Sequence, residues 1–343
     1  MPDRTEIISR SEAKSPFFLG IDVGGTGIKF GIVDDNGATL GRSRIETEQE
    51  KGPEDACSRM LAESQKLAGQ CEVDFKSIVN VGLATPGTMN ITAGILLQPH
   101  NLPTWWDFPI RDHLKGVLSK PVAFQNDANA AAYGEYWVGS AADFRSMVLF
   151  TLGTGVGGGI IFDGKLIDGE HSHGSECGHT YIASGPGARM CGCGRPGHLE
   201  AYASARAVVQ RTREALLLGR KSSISTRVES GEELTPLLIA EEAERDDRLA
   251  LEIVMNTAEY LAYGAVNMMH TIDPNAIIFG GAMTFGGDDS DLGRRFLNRI
   301  RQEIRMRAFP ALAEKTHIDF AQLGGHAGYI GAAGVARAAY LAE

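Results

Sequence analysis

Two stretches far apart in this chain share one pattern, an apolar run, a glycine-rich turn and a second apolar run, and that repetition limits the folds available. Phe17 to Asp22 leads into Asp22-Val23-Gly24-Gly25-Thr26, and Ile28 to Val33 follows, ending at Asp34-Asp35-Asn36-Gly37. Met147 to Leu152 leads into Gly153-Thr154-Gly155-Val156-Gly157-Gly158-Gly159, and Ile160 to Phe162 follows. Short apolar runs bounded by glycine read as strands, so each stretch predicts strand, turn and strand. With 343 residues, 43% of them hydrophobic and 22% charged, the chain is long enough for two cores. The expectation is two α/β domains, each opening on the same unit.

The remaining pattern fills in both halves. Thr39 to Ile45 predicts a third antiparallel strand, Pro53 to Leu67 a helix, and Ser77 to Leu83 a buried strand entering the hinge or tight turn Ala84-Thr85-Pro86-Gly87. Ile110 to Leu118 predicts a helix, Val122 to Gln125 a strand, and Ala128 to Val138 a helix. Helices are expected at 199–218, 236–244, 249–270, 292–308 and 329–341, with strands at 276–279 and 318–321. Residues 1–16 carry Asp3, Arg4, Glu6, Arg10, Glu12 and Lys14 among few apolar groups, which predicts a disordered tail without the apolar core of a signal peptide.

The chemistry concentrates at turns. Glycine leaves backbone N–H groups open to an anion, so the loops 22–26 and 153–159 suit two sides of one phosphate chain, with Asp22 available to hold hydrated Mg2+. Each loop taken singly is equally readable as a tight hairpin. No G-x-x-x-x-G-K-[ST] occurs, and neither loop opens a helix as a dinucleotide fingerprint does. Asn126-Asp127 closes a strand, where an amide and a carboxylate side by side can grip polyol hydroxyls while the carboxylate accepts a proton. Asp127 there also has the ordinary reading of a helix cap. Asn101, near Trp105 and Trp106, offers another hydroxyl contact or a plain turn residue.

Glu176 to Glu200 holds three of the five cysteines and eight glycines or prolines, a composition that builds no helix and buries little apolar surface. His179, Cys191, Cys193 and His198 suit a tetrahedral zinc set, since thiolate and imidazole favour that metal, and the plain alternative is a turn with free thiols. His171 and His173 read as solvated loop residues, and Gly280-Gly281 alone reads as a simple turn.

Composition excludes other classes. A formal charge of -10 and a pI near 5.4 argue against nucleic-acid and acidic-membrane partners, and no run is long enough to span a bilayer. Five cysteines, three of them clustered, argue against a disulfide framework and for a reducing cytoplasm.

Together the motifs resemble the ROK group of sugar kinases and sugar-responsive repressors. D-V-G-G-T-G-I-K at 22–29 is similar to its first phosphate loop, T-P-G at 85–87 to its hinge, N-D-A-N-A-A at 126–131 to its catalytic strand end, and G-T-G-V-G-G-G at 153–159 to its second phosphate loop. G-S-E-C-G-H at 174–179 resembles the sugar-binding E-x-G-H motif, and C-G-C-G-R-P-G-H-L-E at 191–200 the zinc motif C-x-C-G-x-x-G-C-x-E, with His198 in place of the third cysteine.

The resemblance implies a two-domain actin-like, Hsp70-like ATPase (ribonuclease H-like) α/β fold. It implies a small domain at 17–126 joined by the C-terminal helix 329–343, and a large domain at 127–328 carrying the zinc loop 176–200. It makes Asp127 the general base, and Asn101, Asn126, Asp127, Glu176, His179 and Glu200 the sugar ligands, His179 serving zinc with its other ring nitrogen. Asp22, Gly24, Gly25, Thr26, Lys29, Gly153, Thr154, Gly155 and Gly157 would hold ATP and its Mg2+, and Gly280-Gly281 would lie against the adenosine. Zn2+ would be structural and the assembly a homodimer. The implied activity is phosphorylation of a hexose at its 6-hydroxyl, glucose first. An N-acylhexosamine kinase and a non-catalytic sugar sensor are the alternatives. A DNA-binding repressor is disfavoured because residues 1–16 are too few for a helix-turn-helix.

Overall fold

The computed structural model describes residues 5–99 and 101–342. The chain divides into two compact units, the first made of 1–144, 159–175 and 322–343, the second of 145–158 and 176–321.

In the first unit, β1 (Phe17–Val23), β2 (Gly27–Asp34) and β3 (Thr39–Glu46) form an antiparallel meander, Phe17 facing Asp34 and Gly27 facing Glu46. Helix α1 (Pro53–Gln70) follows, with Pro53 at its first turn where a missing N–H costs nothing. After β4 (Ile78–Thr85) come the two-residue strands β5 (Met89–Asn90) and β6 (Ile95–Leu96), helix α2 (Ile110–Leu118), strand β7 (Val122–Asn126) and helix α3 (Asp127–Val138). The sheet order is β3-β2-β1-β4-β7, and β1, β4 and β7 run parallel. Register sets Asp22 beside Ala84, Ala84 beside Gln125, and Thr85 beside Asn126. The carboxyl ends of three neighbouring strands therefore carry the first glycine turn, Thr85-Pro86-Gly87 and Asn126-Asp127, the usual ligand edge of a parallel sheet.

In β1, Phe17, Leu19, Ile21 and Val23 bury one face against Met60 and Leu67 of α1 and Ile110 and Leu114 of α2. The opposite face takes the C-terminal helix, with Phe18 and Val33 packed on Tyr329, Ile330 and Ala333. That helix lies very close to the sheet, and a β-carbon on Gly20 or Gly82 would collide with the carbonyls of Tyr329 and Ala332.

The second unit begins with β8 (Met147–Leu152). Strand β9 (Val156–Phe162) starts here and carries the chain into the first unit, where Phe162 pairs with Lys165 of β10 (Lys165–Leu166). The chain returns through helices α4 (Glu200–Ala203), α5 (Ala205–Leu217), α6 (Ser223–Glu229), α7 (Pro236–Glu244) and α8 (Arg248–Ile272). Strand β11 (Ala276–Gly280), helices α9 (Asp291–Arg307) and α10 (Pro310–Lys315) and strand β12 (His317–Phe320) complete it. Strand β11 runs parallel to β8 and β12, and Phe150 stacks on Phe279 with ring centroids 5.4 Å apart. Helix α11 (Ala327–Leu341) belongs to the first unit.

Several expectations change. The division does not fall at 126/127, because α3 packs against α11 so tightly that a β-carbon on Gly331 would collide with the Ala130 carbonyl. The unit holding the Cys/His loop is consequently the smaller one. Residues 5–16 are not a loose tail: Ile8 N–H donates to Thr39 O at 2.9 Å, Lys14 N–H to the Asp34 carboxylate at 2.9 Å, and Ile8 and Ala13 pack on the core. Residues 1–4 lie outside the described residues. The expected helix 199–218 breaks at Ser204, whose hydroxyl caps α5 by accepting from Ala207 N–H.

Candidate functional site

Each unit presents a glycine turn at the end of its first strand. In the first unit, Gly24 N–H donates to Gly27 O at 2.9 Å, and the Thr47 hydroxyl holds the Gly24 carbonyl at 2.7 Å. Gly25 lies against Asn101, whose Cβ would be 3.2 Å from a β-carbon on Gly25, so a proposed phosphate contact and a proposed sugar contact adjoin. Thr26 is exposed. Asp22 sits over Gly328 in the first turn of α11, where a β-carbon would collide with its carboxylate. Burial pushes the Asp22 carboxyl above its ordinary range, and Lys29 pulls the other way. Lys29 Nζ donates to Gly325 O at 3.0 Å.

At the end of β7 the cap assignment differs from the sequence reading. Asn126 is the N-cap, its Oδ1 accepting from Ala128 N–H at 2.9 Å and Asn129 N–H at 3.3 Å. Asp127 is instead the first residue of α3, with Oδ1 accepting from Ala128 N–H at 2.8 Å. Asn126 therefore has its amide N–H groups, rather than its oxygen, to offer a hydroxyl.

In the second unit the turn is shorter than expected, since β9 already starts at Val156 and Gly157 is a strand residue. Gly153 N–H donates to Gly155 O at 3.0 Å, while Gly153 O accepts from Ala205 N–H at 2.9 Å at the start of α5. Thr154 is exposed at the tip. Gly280 closes β11 and is buried, and Gly281 has φ of +95° with its α-carbon against the Leu152 backbone. The Gly280-Gly281 turn thus adjoins the second glycine turn. A groove of about 660 Å3 runs from Thr154 along α5, lined by Arg206, Val209, Arg213, Leu234 and Pro236.

The Cys/His loop is held by backbone hydrogen bonds in place of an apolar core: Cys191 N–H to Arg195 O at 2.9 Å, Gly197 N–H to Arg189 O at 2.9 Å, and Leu199 N–H to Thr180 O at 2.9 Å. One ligand atom from each of His179, Cys191, Cys193 and His198 lies within 4.8 Å of all the others. His179 Nδ1 is 3.3 Å from His198 Nδ1 and 3.8 Å from Cys191 Sγ, and Cys193 Sγ is 3.3 Å from His198 Nδ1. Tetrahedral zinc bonds of about 2.0–2.3 Å put ligand atoms about 3.3–3.8 Å apart, so these residues fit that ion. Burial pushes the Cys191 thiol up to about 12, and burial with His179 alongside holds His198 below its ordinary range. A divalent cation would reverse the first and favour the neutral imidazole of the second.

His179 turns its other nitrogen, Nε2, toward Glu176 at 3.9 Å. Glu200 is tied to both features of this unit, with Oε2 accepting from Val156 N–H at 3.0 Å beside Gly155 and Oε1 accepting from the Cys191 thiol at 3.4 Å. Glu176, His179 and Glu200 thus share a neighbourhood with the Cys/His cluster, while Asn101, Asn126 and Asp127 belong to the first unit.

Sequence reasoning missed three features. Arg44 lies over Gly27, where a β-carbon would be 2.8 Å from Nη2 and 2.9 Å from Cζ, a position invisible without the strand pairing. The groove along α5 has no sequence signal. Asp168 reaches the carboxyl end of β7 from 43 residues away.

This α/β architecture with paired glycine turns defines a class, and the match to a family model places the chain within it. The chain belongs to the ROK family, whose model matches residues 18–339. It is 31% identical to a glucokinase of Halalkalibacterium halodurans over 92% of this chain and 93% of that protein. It is likewise 31% identical to an N-acetylmannosamine kinase of Yersinia pestis over 77% of this chain and 82% of that one. A crystal structure of a ROK family glucokinase from Streptomyces griseus with glucose and AMPPNP superposes with a TM-score of 0.75 at 30% identity, covering 94% of this chain and 99% of that chain. The fold agrees with the actin-like ATPase architecture. No helix among the described residues is long and apolar enough to cross a membrane.

Proposed function

We propose that this chain is an ATP-dependent hexose kinase that converts glucose to glucose 6-phosphate. The observation that carries the reading is the register of the first sheet, which sets Asn126-Asp127 next to the strand ends bearing Thr85 and, one strand further, Asp22 with its glycine turn. That edge combines a carboxylate with an anion-binding turn, the two needs of phosphoryl transfer to a hydroxyl. Relatives and a solved neighbour named as glucokinases support the same activity.

Asp127 accepts the proton of the sugar 6-hydroxyl as that oxygen bonds to the terminal phosphorus and the bond from phosphorus to the ADP oxygen breaks. Asn101, Asn126, Glu176, His179 and Glu200 would hold the other hydroxyls, as the resemblance to ROK kinases implies. Backbone N–H groups at Gly24, Gly25 and Thr26, and at Gly153, Thr154 and Gly155, neutralise charge on the phosphates, with Lys29 adding a cation. Gly157, in β9, supports that second turn. Asp22 would hold Mg2+, which supplies charge neutralisation on the phosphate oxygens. The groove along α5, together with Gly280-Gly281, suits the adenosine, because it combines apolar walls with polar rims beside the phosphate turn.

His179, Cys191, Cys193 and His198 would hold a structural Zn2+ with no open position, fixing His179 so that Nε2 and the Glu176 carboxylate face a hydroxyl together. Five unpaired thiols suit the cytoplasm. A homodimer is the proposed assembly.

The test is Asp127→Asn. Removing the proton acceptor lowers turnover by about 100- to 10,000-fold while glucose binding persists. A variant with near-normal turnover would take Asp127 out of that role.

A further inference from the structure

Asp168 sits on the loop after β10, 43 residues from Gln125, yet its carboxylate ends at the carboxyl end of β7. Asp168 Oδ1 accepts from Gln125 Nε2 at 2.8 Å and from Asn129 Nδ2 at 3.4 Å. With its nitrogen committed there, Gln125 turns Oε1 the other way, where it accepts from Asn126 N–H at 2.8 Å and Asn129 Nδ2 at 3.2 Å. Asn126 in turn accepts from Ala128 N–H and Asn129 N–H and so sets the first turn of α3, on which Asp127 rides. Gln125 and Asn129 are buried, at 3% and 4% exposure, and Asn129 Oδ1 has no hydrogen-bond partner among the described residues.

An amide can present either end to a neighbour, but an ionised carboxylate only accepts. The acceptor at Asp168 therefore decides which way both buried amides point. If Gln125 turned over, its nitrogen would face Asn126 N–H, donor against donor, and its oxygen would face the carboxylate. The orphaned oxygen of Asn129 fits the same logic, because both acceptors in reach claim its nitrogen. The neck of the loop is itself fixed, with Gly174 N–H donating to Asp168 O at 2.7 Å and the Ser175 hydroxyl to Ile167 O at 2.9 Å.

We propose that Asp168 is a positioning residue for the phosphoryl-transfer site: through Gln125 it fixes the orientation of Asn126, and with it Asp127, at the carboxyl end of β7. The proposal deepens the kinase reading and rests on it. It predicts that the polarity of the 125–168 pair can be reversed without loss, provided one partner donates and the other accepts.

Asp168→Ala, Gln125→Glu and the double variant Gln125→Glu with Asp168→Asn are compared in the full-length protein. Turnover with glucose and Mg-ATP is measured, together with amide hydrogen exchange over residues 122–134. Each single variant lowers kcat by about 10- to 100-fold, with the KM for ATP nearly unchanged, as expected when a reacting group is misplaced by a fraction of an ångström. Exchange in the segment quickens in both. The double variant restores an acceptor facing a donor, so kcat returns to within about threefold of wild type and exchange slows again. Single variants with wild-type kcat and exchange, or a double variant whose losses simply multiply, overturn the proposal. Should Asp168→Ala not fold, Gln125→Glu and the reversed pair still decide. A wild-type protein that phosphorylates no sugar would refute the kinase reading, while the exchange comparison would still judge Asp168.

Discussion

His198→Ala puts the proposed zinc brace to the strictest use. In the structure His198 Nδ1 is within 3.3 Å of both His179 Nδ1 and Cys193 Sγ, which is where one corner of the proposed tetrahedron would lie. Zinc contributes about 10–16 kcal/mol to small four-ligand sites, and an equal share per ligand is roughly 2.5–4 kcal/mol, or roughly 100- to 1,000-fold in affinity. The loop has little to offset that loss, since Cys193 is exposed and the segment is held by a few backbone hydrogen bonds. Zinc per chain is to be counted by elemental mass spectrometry after dialysis against a mild chelator, alongside steady-state kinetics. The account expects wild type to keep about one zinc and the variant to lose most of it. It also expects the KM for glucose to rise by about tenfold or more, because His179 is no longer anchored beside Glu176, while the KM for ATP stays close to wild type. His198→Cys should retain the metal. A His198→Ala protein with full zinc and an unchanged KM for glucose would refute the brace.

Two further perturbations probe other joints. Gly155→Ala places a methyl group where the Glu200 carboxylate sits, so Val156 N–H loses a charged acceptor worth about 1.5–3 kcal/mol. The expected result is a fall in kcat/KM for glucose of about 10- to 100-fold that is not additive with Glu200→Gln; additive losses would argue against a shared cause. Glu135→Ala removes a fully buried carboxylate that accepts from Ser140 N–H and its hydroxyl at 2.8 Å, Gln322 N–H at 3.1 Å and Leu323 N–H at 2.8 Å. Stranding these donors should cost about 3–5 kcal/mol and lower the unfolding midpoint by about 5–15 °C, and a shift under about 2 °C in calorimetry would contradict it.

Much of the fold was legible because it rests on local pattern. Ile110–Leu118, Met147–Leu152 and Pro236–Glu244 have the bounds that periodicity, proline and glycine predict. What was illegible depends on distance or on ambiguous residues. Ser204 reads as one more polar residue on an amphipathic helix until its hydroxyl is seen capping α5. Gly157 to Gly159 read as loop because glycine favours turns, yet they lie in β9, where a β-carbon on Gly159 would collide with Ala132 of α3. Helices α6 and α10 are too short to establish a period. At the site, Asn126 and Asp127 were found as a pair with the cap assigned to the wrong member, since both side chains can cap and only geometry distinguishes them. The cluster of His179, Cys191, Cys193 and His198 was legible because its members lie close together in sequence, and the fold brings one ligand atom from each within 4.8 Å of the others. Asp168 was not, because its partner is brought to it by the fold.

The central claim is that this chain phosphorylates a hexose from ATP. Purified protein with Mg-ATP should be assayed for ADP release against glucose, mannose, fructose, N-acetylglucosamine and N-acetylmannosamine, with the product identified by mass spectrometry and coupled oxidation of glucose 6-phosphate. The account predicts the highest kcat/KM with glucose and glucose 6-phosphate as product. Preference for an N-acetylhexosamine would correct the substrate alone, and no phosphorylated product from any of the sugars would contradict the account.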